Sequence, residues 1–377
     1  MKKPAILGGK PAFLPPLPFV KPLLPAYEDM EENLKDIFSS GMLTKGKYLK
    51  EYEENLKEYL CVNHAIGVSN CTLGLVLVLH CMDLKGEVLV PSFTFPSTVH
   101  AIMWNNLKPV FVDCDPETFN IIPSKAEEAI TSQTSAIMAV HIFGNPADVE
   151  DLEDIATGYN LKLIFDSAHG LGAELNDKTL GRYGNAEVFS TSPTKLLVTG
   201  EGGVITTEDG ELAERIRIAI EYGNPGDYDC LFKGLNARLA EFNSLTGIYS
   251  LKLLDENAKL RNHLALLYKK YLSEIPGISF QKIHPSGKSS YKDFAILIEP
   301  EFGLSRDSLY KALAAEGITT RKYFYPNHHQ KALHMNMTCN LPFTDEVYKK
   351  VICLPICSSM TDDMIKTISE IIQHAIS

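Results

Sequence analysis

From residue 65 to residue 207 the chain repeats one pattern, a short apolar run followed by a stretch with helical spacing. The apolar runs fall at 65–69, 87–91, 109–113, 136–141, 161–166, 186–189 and 204–207. Helical spacing lies between them at 72–81, 94–105, 125–130 and 149–159. The runs are apolar at successive positions rather than alternate ones, so both faces of each strand are expected to be buried. Strands of that kind belong to a mostly parallel sheet covered on both sides by helices, an α/β arrangement.

The flanks read differently. Residues 4–25 are rich in proline (Pro11, Pro15, Pro16, Pro18, Pro22, Pro25), which predicts an extended arm packed on its own protein or on a partner subunit. Helices are expected at 27–38 and 48–60. The longest helical pattern, 241–275, ends at Pro276-Gly277 and is long enough to pass from one domain into the next. A strand at 293–298, a helix at 305–316 and a terminal helix from Thr361 describe a small α+β domain. The division expected is an arm over 1–26, a large domain over 27–245 and a small one over 246–377.

Bulk properties exclude several functions. A net charge of -11 supplies no basic excess for a nucleic-acid backbone. The longest apolar run, 73–79, falls far short of the roughly 20 residues of a membrane span, and the apolar stretch after Met1-Lys2-Lys3 is interrupted, so no export signal is expected. The eight cysteines are scattered with no Cys-x-x-Cys pair, which fits reduced thiols and a cytoplasmic protein. On that reading the sequons at Asn70 and Asn336 carry nothing, and His328, His329 and His334, without flanking acids or cysteines, imply no metal. No Gly-x-Gly-x-x-Gly follows a strand and no phosphate-loop sequence is present, so nicotinamide and ATP readings lack their signatures.

Two charged residues stand at strand ends. The run at 161–166 closes on Asp166, and the run at 186–189 leads through Ser190 to Lys195 and a glycine-rich turn, Gly200-Glu-Gly-Gly203. Ligand chemistry in α/β proteins gathers at such strand ends. A lysine able to form a Schiff base, beside an acid able to keep a pyridine nitrogen protonated, is what a pyridoxal phosphate (PLP) enzyme needs. Singly, Asp166 reads equally as a helix cap and Lys195 as a solvated charge; the pair is what points to a cofactor.

Other residues extend that site. Cys71 and Thr72 open a helix after a strand, so the first N–H groups there face a prospective anion, although Ser, Thr and Asn cap many helices with no ligand. Ser190, five residues before Lys195, is a second phosphate donor. His169, three residues after Asp166, is placed to share the cavity. Phe95 follows a strand end and either lies against an aromatic ring or packs in the core.

At these residues the chain resembles the DegT/StrS family of PLP-dependent nucleotide-sugar aminotransferases. The motifs that carry the resemblance are Leu17-Pro-Phe-Val-Lys-Pro22, Ser40-Gly-Met-Leu-Thr44-Lys-Gly46, Pro91-Ser-Phe-Thr-Phe95, Pro109-Val-Phe-Val-Asp-Cys-Asp115, Phe165-Asp-Ser-Ala-His169-Gly, Pro193-Thr-Lys195, Gly200-Glu-Gly-Gly203 and Gly234-Leu-Asn236-Ala-Arg238. They fall in family order over nearly the whole chain.

The resemblance implies an aspartate-aminotransferase-like fold (PLP fold type I), with a mostly parallel seven-stranded sheet and a smaller α+β C-terminal domain. It implies a homodimer with shared active sites. Lys195 would be the Schiff-base lysine, Asp166 the pyridinium partner, His169 the neighbour of the phenolic oxygen and Phe95 the stacking ring. Cys71, Thr72 and Ser190 would hold the phosphate, joined by Asn236 from the other subunit. Thr44, Tyr323, Tyr325 and His329 would face the substrate.

Two positions depart from the family pattern. Cys71 stands where glycine or alanine is usual, so contact there is expected through its N–H, and Ser192 replaces a common histidine. Lys195 separates the chain from the family's dehydratases, which have histidine there. Gly86 to Ser92, Trp104 to Asp113 and Arg321 to Pro326 look most like enzymes acting on dTDP-4-keto-6-deoxyglucose. The implied reaction takes an amino group from L-glutamate and delivers it to carbon 4 of that nucleotide sugar, as in deoxysugar and polysaccharide biosynthesis. The alternatives are amination at carbon 3, a UDP- or GDP-linked sugar, and a non-catalytic regulatory or sensor protein on the same fold.

Overall fold

The computed structural model describes residues 3–331, 333 and 339–375. His334 and the Asn336 sequon lie outside the described residues, as do Met1 and Lys2. The chain runs α1 (Tyr27–Ser40), α2 (Lys47–Leu60), β1 (His64–Val68), α3 (Cys71–Cys81), β2 (Glu87–Pro91), α4 (Pro96–Trp104), β3 (Lys108–Val112), α5 (Pro123–Glu128), β4 (Thr134–Val140), α6 (Val149–Gly158) and β5 (Lys162–Asp166). It continues through the two-residue strands β6 (Glu174–Leu175) and β7 (Lys178–Thr179) to β8 (Ala186–Ser190), β9 (Gly203–Thr207) and α7 (Gly210–Ala219).

The main sheet has seven strands in the order β1-β9-β8-β5-β4-β2-β3. Only β9 runs antiparallel, to both β1 and β8. The expected mostly parallel sheet is therefore present, and the C-terminal ends of β1, β5 and β8 lie along one edge. Successive residues serve opposite faces, as strand geometry requires. Leu163 and Phe165 of β5 enter a core with Tyr52 and Leu56 of α2, Leu152 of α6 and Ile248 of α8 (Glu241–Leu251). Ile164, between them, joins the opposite core with Val78 of α3, Ile102 of α4 and Ile216 of α7. Each fully buried Leu, Ile or Phe in these cores contributes about 1.5–3 kcal/mol relative to exposure.

The single helix expected over 241–275 is instead two, α8 and α9 (Leu254–Leu272). The N–H of Leu253 turns back to the carbonyl of Ser250, which closes α8. Asp255 and Glu256 then sit in the first turn of α9, where the positive end of the helix dipole favours them. Leu254 and Ala258 at the start of α9 belong to the α2/α8 core, whereas Leu264, Tyr268 and Leu272 belong to a separate one. One helix thus reaches both.

That second core lies on an antiparallel sheet formed by β10 (Ile278–Phe280), β12 (Phe294–Ile298) and β13 (Val351–Leu354), in the order β10-β12-β13. The short strand β11 (Gly287–Lys288) pairs instead with β6. Helices α9, α10 (Arg306–Ala315) and α12 (Asp362–His374) cover one face, meeting Phe294, Ile296 and Ile298. Ala295 and Leu297 face an aromatic cluster of Phe93, Phe119, Phe143 and Phe324, alongside α11 (Pro342–Lys350). Phe93 and Phe143 come from loops that follow β2 and β4, so this cluster seats the smaller sheet against the edge where Asp166 stands.

The proline-rich arm packs on its own chain. Ala5 and Ala12 donate backbone N–H groups to the Glu316 carboxylate, and Leu17 exchanges backbone hydrogen bonds with Gly317 and Thr319. One 3-10 turn, Ala5–Leu7, interrupts its otherwise irregular course.

Candidate active site

Asp166 ends β5, and the register pairs it with Val188 on the parallel strand β8, two residues before that strand ends at Ser190. The chain then leaves the sheet in a loop pinched at its neck. Thr191 and Thr199 join hydroxyls at 2.7 Å, and the Thr199 N–H donates to the Thr191 carbonyl. Lys195 lies within this loop, its N–H turned back to the Ser192 carbonyl. Beyond it the loop is anchored at both sides of the α8/α9 break. Val198 N–H donates to Ser250 Oγ at 2.9 Å, and Asn257 Nδ2 donates to the Leu196 carbonyl at 2.7 Å.

Asp166 is buried. Its Oδ2 accepts from the Thr98 hydroxyl at 2.7 Å and its Oδ1 from the Ala168 N–H at 3.1 Å. Burial pushes the Asp166 carboxyl above its ordinary range, and these two donors, together with Lys195, pull it back. Burial, with Lys292 adding to it, pulls the Lys195 ammonium down to about 8, against the attraction of Asp293, Cys71 and Asp166. Lysine and acid therefore lie within electrostatic reach of one another.

His169 joins them. Burial, Lys195 and Lys292 hold its imidazole well below the usual range, so it is neutral near pH 7. Its Nδ1 accepts from the Phe143 N–H at 3.2 Å, which leaves Nε2 carrying the proton as a donor. The Cys71 thiol, 4.0 Å from Asp166 Oδ1, is raised well above its usual range by burial and then by that carboxylate, so it stays a neutral thiol.

The anion cradle predicted at Cys71 and Thr72 is drawn together from three elements. Asn70 caps α3 by accepting the Leu73 N–H, and the N–H groups of Cys71 and Thr72 have no acceptor within the helix. Ser190 pairs with Gly203 across β8 and β9. A Cβ at Gly203 would stand 2.7 Å from Cys71 N, so only glycine lets the three segments approach this closely. Ser69 adds a buried hydroxyl without a partner at the same corner. Helix N–H groups without an intrahelical acceptor, an unpartnered hydroxyl, a lysine of lowered basicity and a buried acid form a donor set that fits PLP.

The remaining predicted residues are placed as follows. Phe95 caps α4 one turn before Thr98 and is 53% exposed, its ring edge-on to Phe324 at 6.5 Å, so it does not fill the core. Asn236 is exposed, next to Ala237, whose carbonyl accepts the Ser69 N–H. Thr44 bridges to Ala240 and is half-buried. Tyr323 packs among Phe19, Phe143 and Phe324, Tyr325 is exposed against Tyr348, and His329 is held between Ser92 Oγ and Asp345 Oδ1. Among the described residues no His, Cys, Asp and Glu cluster is arranged to hold a metal ion.

Sequence reasoning passed over Thr98, Ser69 and the buried pair Lys292 and Asp293, joined at 2.7 Å. Ser69, next to the predicted anion turn, was within reach. Thr98 looks like any helix threonine, and Lys292-Asp293 like a charged strand boundary; only the tertiary fold brings them to the site.

The sequence profile of the DegT/DnrJ/EryC1/StrS aminotransferase family matches residues 26–373. A dTDP-4-amino-4,6-dideoxy-D-glucose transaminase of Shigella dysenteriae is 36% identical over 364 residues, spanning 95% of this chain and 99% of that protein. Its Escherichia coli counterpart is 33% identical, spanning 94% of this chain and 98% of its own length. The crystal structure of DesI in the presence of its TDP-sugar product superposes with a TM-score of 0.94 at 32% identity, covering 99% of this chain and 96% of that one.

Proposed function

The chain belongs to the DegT/DnrJ/EryC1/StrS aminotransferase family, whose cofactor is PLP, and on that footing we propose that it aminates a nucleotide sugar. The reaction is transfer of the amino group of L-glutamate to carbon 4 of a dTDP-linked 4-keto-6-deoxy sugar, best fitted by dTDP-4-keto-6-deoxy-D-glucose. The product is the 4-amino-4,6-dideoxy sugar nucleotide. The fold is that of the PLP enzymes of fold type I. The substrate choice rests on the relatives, two of which are transaminases named for that amino sugar.

The observation that carries the reading is the buried Asp166 at the end of β5, paired to β8, from which the loop bearing Lys195 leaves the sheet. When bound, PLP supplies an electron sink for the pair released as a C–H bond beside nitrogen breaks. The chain supplies the rest. Lys195, much of it neutral near pH 8, would hold the cofactor through its amine and, once free, would move the proton released from the donor carbon. Asp166 would keep the ring nitrogen protonated. Cys71 N–H, Thr72, Ser69 and Ser190 would hold the phosphate, His169 Nε2–H the phenolic oxygen and Phe95 the ring face. Thr44, Tyr323, Tyr325 and His329 would line the sugar side, His329 through its neighbours since both its ring nitrogens are engaged.

We further propose a cytoplasmic homodimer in which Asn236 serves the partner's site. Exposed Phe38, Met42, Leu43, Tyr228, Leu231 and Leu235 give it apolar surface to bury. Among the described residues no helix is long and apolar enough to cross a membrane.

Loading the enzyme with glutamate, removing the glutamate and offering a panel of keto-sugar nucleotides tests the substrate. Recovery of the original absorbance with the dTDP-4-keto sugar alone is expected; recovery only with a 3-keto, UDP- or GDP-sugar would reassign it. Lys195→Ala is expected to abolish turnover. A wild-type protein that binds PLP yet accepts no amino group from any donor would indicate a sensor.

A further inference from the structure

Asp166 receives a hydrogen bond with a fixed direction. An ionised carboxylate only accepts, so the 2.7 Å contact with Thr98 Oγ1 uses the Thr98 proton. Thr98 Oγ1 is also 2.8 Å from Thr94 Oγ1, and with its own proton committed it accepts there. The order is Thr94 O–H to Thr98, then Thr98 O–H to Asp166. Both hydroxyls are buried, where such a chain strengthens each of its members. The Thr94 carbonyl in turn lies 3.0 Å from His328 Nε2, on the loop that carries Tyr323 and Tyr325.

We infer that Thr98, supported by Thr94, is a positioning residue for the reaction, keeping the Asp166 carboxylate ionised and aimed at the cofactor's ring nitrogen. The inference rests on the PLP reading of the site. With Oδ2 taken by Thr98 and Oδ1 by the Ala168 N–H, the carboxylate is held in one orientation. The other titratable groups around it are Cys71 on α3, His141 after β4 and Lys195 on its loop. Of these Cys71 stays a neutral thiol, a weak donor 4.0 Å from Oδ1, and so does not substitute for the Thr98 hydroxyl at Oδ2.

Losing the Thr98 donor makes the carboxylate more basic, so it competes for the proton on the ring nitrogen. A ring with less positive charge depresses the basicity of the lysine-bound cofactor less, and the visible absorbance then titrates at higher pH.

The experiment uses full-length wild type, Thr98→Val, Thr98→Ser and Thr98→Cys, each loaded with PLP and titrated by visible absorbance after circular dichroism has confirmed folding. Hydrogen bonds to charged groups have the size that moves a midpoint by about 1 pH unit. Thr98→Val is expected to shift the midpoint upward by about that amount and lower kcat about tenfold. Thr98→Ser, which keeps the hydroxyl, should titrate as wild type, and Thr98→Cys, a weak donor, should fall between.

A folded Thr98→Val protein that binds PLP and titrates with the wild-type midpoint overturns the proposal. If the valine protein does not fold, an unmoved midpoint in Thr98→Cys overturns it equally. Failure of the underlying PLP reading looks different, since wild type itself would then gain no visible band on adding PLP.

Discussion

Asn257, at the start of α9, donates from Nδ2 to the carbonyl of Leu196 at 2.7 Å, one residue beyond Lys195. Seven residues earlier Ser250, at the end of α8, accepts the Val198 N–H. The break between the two helices therefore coincides with the place where both hold the lysine loop. Lys195 is positioned by side chains from a region far along the chain, and its place should be sensitive to them.

Removing Asn257 tests this. Asn257→Ala leaves the Leu196 carbonyl buried without its partner, at a cost of about 1–3 kcal/mol. Denaturant unfolding of the cofactor-free protein is expected to show that loss. Because the loop that orients Lys195 is loosened, kcat should also fall by roughly tenfold while KM for the sugar nucleotide changes little. An equal change in KM would place the effect in substrate binding instead.

On the role proposed for Lys195, the pH dependence of cofactor attachment follows from its basicity. Its basicity is pulled down to about 8 by burial and by Lys292. A lowered lysine value means the neutral, nucleophilic form appears earlier as pH rises. About a tenth of Lys195 is then neutral at pH 7 and about nine tenths at pH 9. The second-order rate of PLP attachment to the cofactor-free protein is expected to rise roughly tenfold over that interval. A lysine titrating at its ordinary value would gain roughly a hundredfold, so stopped-flow absorbance separates the two.

The Gly203 backbone sets how closely β9 approaches the start of α3, where the phosphate is proposed to bind. Gly203→Ala puts a Cβ 2.7 Å from Cys71 N and 2.8 Å from Asn70 C, contacts with backbone that no side-chain rotation relieves. Overpacking of this kind costs about 1–3 kcal/mol. Because β9 or α3 has to shift, PLP affinity of the variant, measured by fluorescence quenching, is expected to fall at least tenfold. Unchanged affinity would remove Gly203 and the α3 start from the phosphate site.

The sheet was legible because strands buried on both faces must be apolar at consecutive positions, as in the run from Leu163 to Phe165. Asp166 and Lys195 were legible because a charge at the end of such a run needs a reason. Thr98 was not, since its value depends on α4 crossing the tip of β5, a contact between residues 68 positions apart. The α8/α9 break was hidden by an apolar face that continues across it, from Ile248 to Leu254. Asp255-Glu256 was the local sign of a new helix start. The short strand β13 offered four apolar residues behind two lysines, too little to distinguish from the end of α11.

Glu241 links the turn that carries Thr44 to the same scaffold. As the first residue of α8 it reaches back to α2, its carboxylate accepting the N–H groups of Gly46, Tyr48 and Leu49 at 2.9, 3.0 and 3.2 Å. One buried side chain thus satisfies three of the four orphan donors at the start of α2 and complements its dipole. The Glu241 N–H also donates to the Leu43 carbonyl, fixing the turn that carries Thr44. Glu241→Ala leaves those donors buried and unpaired, and a loss of about 1–3 kcal/mol is expected in denaturant unfolding. Glu241→Gln keeps an acceptor oxygen and should lose less. If Thr44 meets the sugar nucleotide, freeing its turn should raise KM for that substrate several-fold in the alanine variant, with KM for glutamate unchanged. A KM unchanged for both substrates, in a variant that shows the stability loss, would take Thr44 out of the binding site.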